Sequence, residues 1–227
     1  MMYLYGQPFF AIIGYIKNSK ELENRNAVQE DLKEILDDVN CIYAEDIASK
    51  FIITLGDEFQ GLLCTGQNVI KIIETIKERI YPVELRFGIG VGEITTNINS
   101  EMAIGADGPA YYNARFAIER LKENEQKNKC ALADIRIELK YSKIEKQSIL
   151  INTIFELTKA IELNWTKRQR EIIWNMLKYE EGQNAVARRL GISQASVSKT
   201  LIAGQYYAYT NALKTIETEL GEMRYDK

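Results

Sequence analysis

The chain has 227 residues, 46% of them hydrophobic, and its 29 Lys and Arg against 32 Asp and Glu give a formal net charge of −3, a composition that suits one large domain or two modest ones. No apolar run approaches the roughly 20 residues needed to span a bilayer, and MMYLYGQPFF lacks the basic and sustained apolar regions of a secretory signal, so the expectation is a cytoplasmic protein with no membrane partner. The absence of His excludes Ser-His-Asp and Cys-His catalysis, while Cys41, Cys64 and Cys130, far apart and odd in number, argue against a disulfide framework or a zinc site.

Phe9–Tyr15 (FFAIIGY) is a short apolar run opening into Lys17, Asn18 and Ser19, which predicts a buried strand and then a loop. Apolar positions at Val28, Leu32, Ile35, Leu36 and Val39 predict an amphipathic helix within Leu22–Tyr43. Phe51–Leu55 and Phe59–Leu63 are strands separated by Gly56, Asp57 and Glu58, hence a hairpin. A helix over Val69–Ile80 follows. Leu85–Ile94 is then a strand in which Gly88, Gly90 and Gly92 alternate on one side and let a ligand or a neighbouring backbone come close. Gly105–Pro109 is a loop, Tyr111–Lys122 a helix, and Ala133–Leu139 a last strand after the polar tract ENEQKNK. The order βαββαβαβ predicts an α+β fold, with a ferredoxin-like domain (βαββαβ core) over residues 1–141 followed by all-α structure.

That all-α part consists of a linking helix over residues 142–164, a trihelical unit over 165–204 and a terminal helix over 205–227. Asn184–Leu201 (NAVARRLGISQASVSKTL) places small, apolar and turn residues where a helix-turn-helix needs them. Ala187 lets two helices approach closely, Gly191 supplies a permissive turn backbone, and Leu190, Ile192 and Val197 face the core. Ser193 is positioned to cap the second helix through the amide of Ser196, as Thr166 is for the helix Trp165–Tyr179. Residues 165–204 hold seven Lys and Arg against three Glu, a balance of +4, whereas residues 1–140 hold sixteen basic and twenty-two acidic side chains, a balance of −6. A basic footprint confined to the motif predicts contact with double-stranded DNA there. Ser193, Gln194, Ala195 and Ser196 are the candidates for base edges, with Gln194 suited to adenine and the Ala195 methyl to thymine. Lys167, Arg168, Arg188, Arg189 and Lys199 are candidates for phosphate. Two half-sites need two motifs, which predicts a homodimer, and Tyr206, Tyr207, Tyr209, Leu213 and Ile216 on the last helix suit its interface or, equally, packing on the core of the same chain.

Asp57 and Glu58 at the hairpin tip are the candidate metal ligands and catalytic carboxylates, since magnesium or manganese takes oxygen donors. FIITLGDEFQGLL and LRFGIGVGEI together resemble the strand-hairpin-strand core of the GGDEF and class III nucleotide cyclase superfamily, which implies a palm domain. ASKFIITLGDEFQGLL, RFGIGVGEIT and AIGADGPAYYNAR, in that order, more specifically resemble the SatD family, with which a C-terminal helix-turn-helix also fits. The cyclase resemblance implies a second acidic ligand at the end of the first strand, where this chain has Tyr15. A phenol with a pKa of about 10 is a poor ligand for magnesium at neutral pH, which sets metal chemistry in doubt. The resemblance also implies a nucleotide ligand near Asp107, with Asn113 orienting it and Arg115 stabilising phosphate; Gly14, Gly56, Gly105 and Gly108 are candidates for bringing backbone close to it, and Gly14, Gly105 and Gly108 equally suit turns. Asn113 and Arg115 equally suit tying a loop to the sheet. The expectation is a DNA-binding regulator whose N-terminal domain binds nucleotide or metal or mediates dimerisation; the alternatives are a divalent-metal nucleotidyl cyclase or transferase, and a structural module.

Overall fold

In a computed structural model, residues 8–128, 132–139, 145–179 and 181–223 are described. Cys130 and the expected start of the linking helix at Ser142 lie outside them.

The first half of the chain folds as β1 (Phe9–Ile16), α1 (Arg25–Ile42), β2 (Ile47–Leu55), β3 (Glu58–Leu63), α2 (Val69–Ile80), β4 (Leu85–Gly92), α3 (Pro109–Asn128) and β5 (Ile135–Glu138). The five strands form one sheet in the order β2-β3-β1-β4-β5. β1 is antiparallel to both β3 and β4, β2 is antiparallel to β3, and β5 is added parallel to β4. The first four strands therefore have the arrangement expected of a ferredoxin-like βαββαβ unit.

β1 lies at the centre of this sheet and is covered on both faces, which is why its sequence is a continuous apolar run instead of an alternation. Phe10, Ile12 and Ile16 join Phe59, Phe87, Ile89 and the buried sides of α1 and α2, while Ala11 and Ile13 meet Ala110, Tyr111, Ala114 and Ile118 of α3. The glycines of β4 create the close fit on the α3 side. A Cβ on Gly90 would lie 1.9 Å from the carbonyl oxygen of Ala110, and one on Gly88 2.3 Å from that of Ala114. Of the two reasons the alternating glycines admitted, a neighbouring backbone is the one that holds.

Element limits depart from the expectation where tertiary contacts decide them. β2 begins at Ile47, four residues before Phe51, because irregular pairing with β3 carries the strand through the polar Ser49 and Lys50. α3 runs to Asn128, so most of the tract ENEQKNK is helix: its charges form the outer face of a helix whose inner face, Ala114, Ala117, Ile118 and Leu121, is buried. α1 begins at Arg25, where the side chain of Asn24 accepts from the amide of Ala27.

The second half is helical: α4 (Glu145–Leu163), α5 (Lys167–Tyr179), α6 (Gln183–Leu190), α7 (Gln194–Ala203) and α8 (Tyr206–Glu222). α4 packs on β5, where Asn152 bonds both the amide and the carbonyl of Ile137 at 2.9 Å and so satisfies the outer edge of the sheet. α8 returns to α2. The carbonyl of Leu220 sits against Gly66, and the Tyr209 hydroxyl donates to Glu74 at 3.0 Å. Tyr209, Leu213 and Ile216 are buried, so of the two readings of that stripe helix-on-core packing within the chain is the one that holds, and these three are not available to a dimer interface. Tyr206 is half-buried, and the exposed Tyr207 accepts from Gln183 at 3.0 Å.

A chain of buried ion pairs joins the two halves. Lys17, just beyond β1, meets Asp134 at 2.6 Å, and Lys159 of α4 closes on the same carboxylate. One turn further along α4, Glu162 holds Lys77 of α2 at 3.0 Å and Arg170 of α5 at 2.5 Å. Burial alone would raise the Glu162 and Asp134 carboxyls, but the surrounding cations outweigh it and hold both below the ordinary carboxylate value.

Candidate functional site

The acidic hairpin lies at the end of β1, where Tyr15 pairs with Glu58 on one side and Arg86 on the other. The β2–β3 connection is Gly56–Asp57, and the Asp57 carbonyl accepts from the amide of Ile16 at 2.9 Å, fixing the tip against β1. The carboxylates are already engaged. Ser19 donates to Asp57 at 2.7 Å, and Thr54 donates to Glu58 at 3.0 Å. Burial first, then the neighbouring Asp57 and the charge of Glu58, raise the Tyr15 phenol above its ordinary value. Tyr15 is thus a neutral hydroxyl donor at pH 7, and the ammonium of Lys122 lies 3.9 Å from the centre of its ring.

Magnesium or manganese needs a convergent set of oxygen donors. Two carboxylates bound to Ser19 and Thr54 do not supply the set of a two-metal centre, and no group of three or more His, Cys, Asp or Glu side chains suited to a metal occurs among the described residues. Sequence reasoning passed over Ser19 and Thr54 because a hydroxyl four residues along a strand or loop carries no spacing signature. Only the folded hairpin aims them at the acids.

Of the proposed nucleotide residues Gly56 forms this tip, but Asp107, Asn113 and the loop glycines do not assemble around it. Gly14 faces the ring of Phe59, which lies 2.0 Å from where a Cβ would be, so this glycine makes room for an aromatic core residue and not for a phosphate. Gly56 lies beside Arg25, and its carbonyl accepts from Gln29. Asn113 is buried and donates to the Val91 carbonyl at 2.9 Å, tying α3 to the sheet. Asp107 is exposed, accepts from Tyr112 at 2.5 Å, and leads into the loop that Gly108 packs against Glu93 and Ile94. Gly105 has φ +90 and open space around it. Arg115 is exposed. Nine residues of α3, about 13 Å at 1.5 Å each, separate Asn113 from Lys122 beside Tyr15, so Asp107 and Asn113 sit toward the opposite end of the helix from Asp57.

The second cluster lies on α5–α7. Thr166 and Gln169 form a reciprocal cap, Gln169 amide to Thr166 hydroxyl at 3.2 Å and Thr166 amide to Gln169 side chain at 2.9 Å. Gly191 ends α6 in the left-handed region at φ 64, and Ser193 caps α7, its hydroxyl accepting from the Ser196 amide at 3.1 Å. Val186, Ala187, Val197 and Leu201 are buried between the helices, with Leu190 and Ile192 packed half-buried at the turn. Trp165 locks the unit to the start of α8 by donating to the Gly204 carbonyl at 2.8 Å.

Ser193, Gln194, Ala195, Ser196 and Lys199 are all exposed on α7, and Arg188 is exposed at the end of α6. A shallow groove runs between them, lined by Asn184, Ala187, Arg188, Gly191, Ile192 and Gln194. The cations divide into two groups. Arg168 pairs with Glu171 at 2.5 Å, and Arg189 with Glu181 at 2.5 Å while stacking on Tyr179. The side chains of Lys167, Arg188 and Lys199 form no ion pair or hydrogen bond with the described residues. From Gly182 to Ile216 the sequence has no Asp or Glu, only Arg188, Arg189, Lys199 and Lys214 as charges.

The SatD family model matches residues 9–220, spanning both clusters. The chain belongs to the SatD family. No curated protein matches it. Among solved structures, the catalytic core of a rhodopsin-guanylyl cyclase with converted specificity, in complex with ATPalphaS, is similar at 14% identity and a TM-score of 0.36, over 49% of this chain and 71% of that one. No described helix of this family member is long and apolar enough to cross a membrane, and its Cys41 and Cys64 are free thiols.

Proposed function

We propose that this SatD family member is a DNA-binding regulatory protein in which α6 and α7 form a helix-turn-helix and the N-terminal sheet is a palm-like scaffold that carries it. The observation behind this reading is the α7 surface: four small or amide-bearing side chains exposed at its N-terminal end, on a stretch free of carboxylates, flanked by Lys167, Arg188 and Lys199, which have no ion-pair partner among the described residues. Short polar side chains at that end suit base edges in the major groove, and the cations suit phosphates on either side. Gln194 is held at 2.6 Å by Gln183, which pre-orients its amide for a bidentate contact. Arg168 and Arg189, paired with Glu171 and Glu181, contribute less than Lys167, Arg188 and Lys199, because their charge is partly neutralised within the unit.

The test is a mobility-shift assay with genomic fragments across a salt series. Each phosphate contact contributes about −0.9 to the slope of log K against log salt. Arg188→Ala with Lys199→Ala is therefore expected to flatten the slope by about 2 for every DNA, while Gln194→Ala costs about 1–3 kcal/mol on the preferred sequence and relaxes discrimination at one position. Binding that ignores salt, or that all these substitutions leave unchanged, overturns the reading.

The cyclase alternative is less well supported, since Asp57 and Glu58 are bound by Ser19 and Thr54 and the place of a further acidic ligand holds Tyr15. Cyclic or transferred product from any nucleoside triphosphate with magnesium or manganese, lost in Asp57→Ala, would reinstate it.

A further inference from the structure

α4 has two apolar faces, and only one of them is used within the chain. Ile151, Phe155, Thr158 and Glu162 point inward and are buried. On the opposite side Ile149 is 63% exposed, Leu150 67%, Leu157 61% and Leu163 61%. With 100° between successive residues, Ile149, Leu150, Thr153, Leu157 and Ala160 all fall within about 100° of the helix circumference. Leu163 and the half-buried Glu156 flank one margin of that stripe. The other exposed large hydrophobics, such as Ile42, Leu55, Met102 and Tyr112, come from separate elements, and apolar side chains scattered in that way are ordinary on a protein surface. An aligned stripe along a helix is not.

We infer that this face of α4 is the homodimer contact, pairing with the same face of a second copy about a two-fold axis. The occupant is set by the chemistry of the stripe. Its central positions carry no charge, so it offers nothing to a charged partner, yet it is complementary to itself. Thr153 and Ala160 are small enough to let two helix axes approach to about 8–10 Å, with Leu150 and Leu157 filling the space on either side. An isologous contact doubles every side chain in it. Four large residues on each copy, all more bare than buried, are on the scale of the roughly 1,000 Å² that a specific interface buries across both partners. α8, the other helix with an apolar stripe, is unavailable, since Tyr209, Leu213, Ile216 and Leu220 are buried within the chain.

This inference rests on the DNA-binding reading for the use of two copies, since paired half-sites require paired motifs, but its test does not involve DNA. Analytical ultracentrifugation of the full chain at micromolar concentration is expected to give a dimer. Ile149→Asp with Leu157→Asp is expected to give a monomer with unchanged helical circular dichroism, both positions being exposed. Because misfolding of that variant would also remove the dimer, Leu157→Lys and Leu157→Asp are to be mixed: each alone is monomeric, and the mixture forms a heterodimer. A monomeric wild type, or a double variant that remains dimeric, overturns the inference. A wild-type dimer that fails to shift DNA supports α4 pairing and refutes the DNA-binding reading; a wild-type monomer that shifts DNA does the reverse.

Discussion

Glu162→Gln perturbs one of the buried ion-pair clusters that tie the two halves of the chain together. Its carboxylate sits between Lys77 at 3.0 Å and Arg170 at 2.5 Å, with side chains only 7%, 12% and 14% exposed. The amide keeps the shape and leaves two buried cations short of a partner. Removing one member of a buried pair typically costs about 3–5 kcal/mol. The lower end applies here, because Lys77 retains Glu74 at 3.1 Å and Arg170 retains the rings of Tyr81, Trp165 and Trp174. For a chain of this length, about 3 kcal/mol corresponds to a fall in Tm of roughly 6–12 °C. Urea unfolding followed by circular dichroism measures it, with Glu101→Gln as the control: that pair, Lys50–Glu101, has side chains 45% and 68% exposed, and such pairs contribute about 0–1 kcal/mol. pH supplies a second readout. The Glu162 carboxyl is held below its ordinary value in the fold, so its stabilisation is complete above the unfolded pKa of about 4.3 and is lost as pH falls through the lower folded value. The gap between wild type and variant is therefore widest at neutral pH and closes in acid. A loss no larger than that of the control, or a gap that does not close, refutes the account of the network.

Two glycine substitutions separate steric from conformational need. Gly90→Ala puts a Cβ against backbone atoms of Ala110 and Ala114 at 1.9 and 2.2 Å, so α3 must lift from the sheet, at about 3 kcal/mol or more in unfolding measurements. Gly191→Ala meets nothing within 4 Å but holds φ at +64, and its expected cost is the roughly 1–2 kcal/mol of a left-handed L-residue; equal losses for the two would contradict the assignment. At the hairpin, Tyr15→Asp adds a third carboxylate to Asp57 and Glu58, and thermal shift with manganese is expected to show a stabilisation absent from wild type. A wild-type protein already stabilised by manganese, and no longer so in Asp57→Asn, would show the existing donor set to be a working metal site.

Local signals in the sequence carried those parts of the fold that local physics decides. The alternation of short apolar runs with amphipathic periods gave five strands and the order of helices between them, and Gly191, Ser193 and Thr166 marked the turn and caps of α5–α7 because left-handed backbone and side-chain capping are properties of a few neighbouring residues. Tyr15 likewise stood out in the sequence, because the cyclase resemblance implies an acidic ligand at the end of β1 and this chain has a phenol there. What the tertiary structure decided depends on residues far apart in the chain. The glycines of β4 serve the backbone of α3, Gly14 serves Phe59, and Asn113 serves Val91, so residues that spacing offered to a nucleotide are occupied by packing. The same holds for α8, whose apolar stripe has the period of an interface but meets α2 and α4, and for α4, whose two-sided apolar pattern acquires a meaning only once one side is seen to be filled. Periodicity shows that a face is apolar; which surface covers it follows from where the chain brings its other elements.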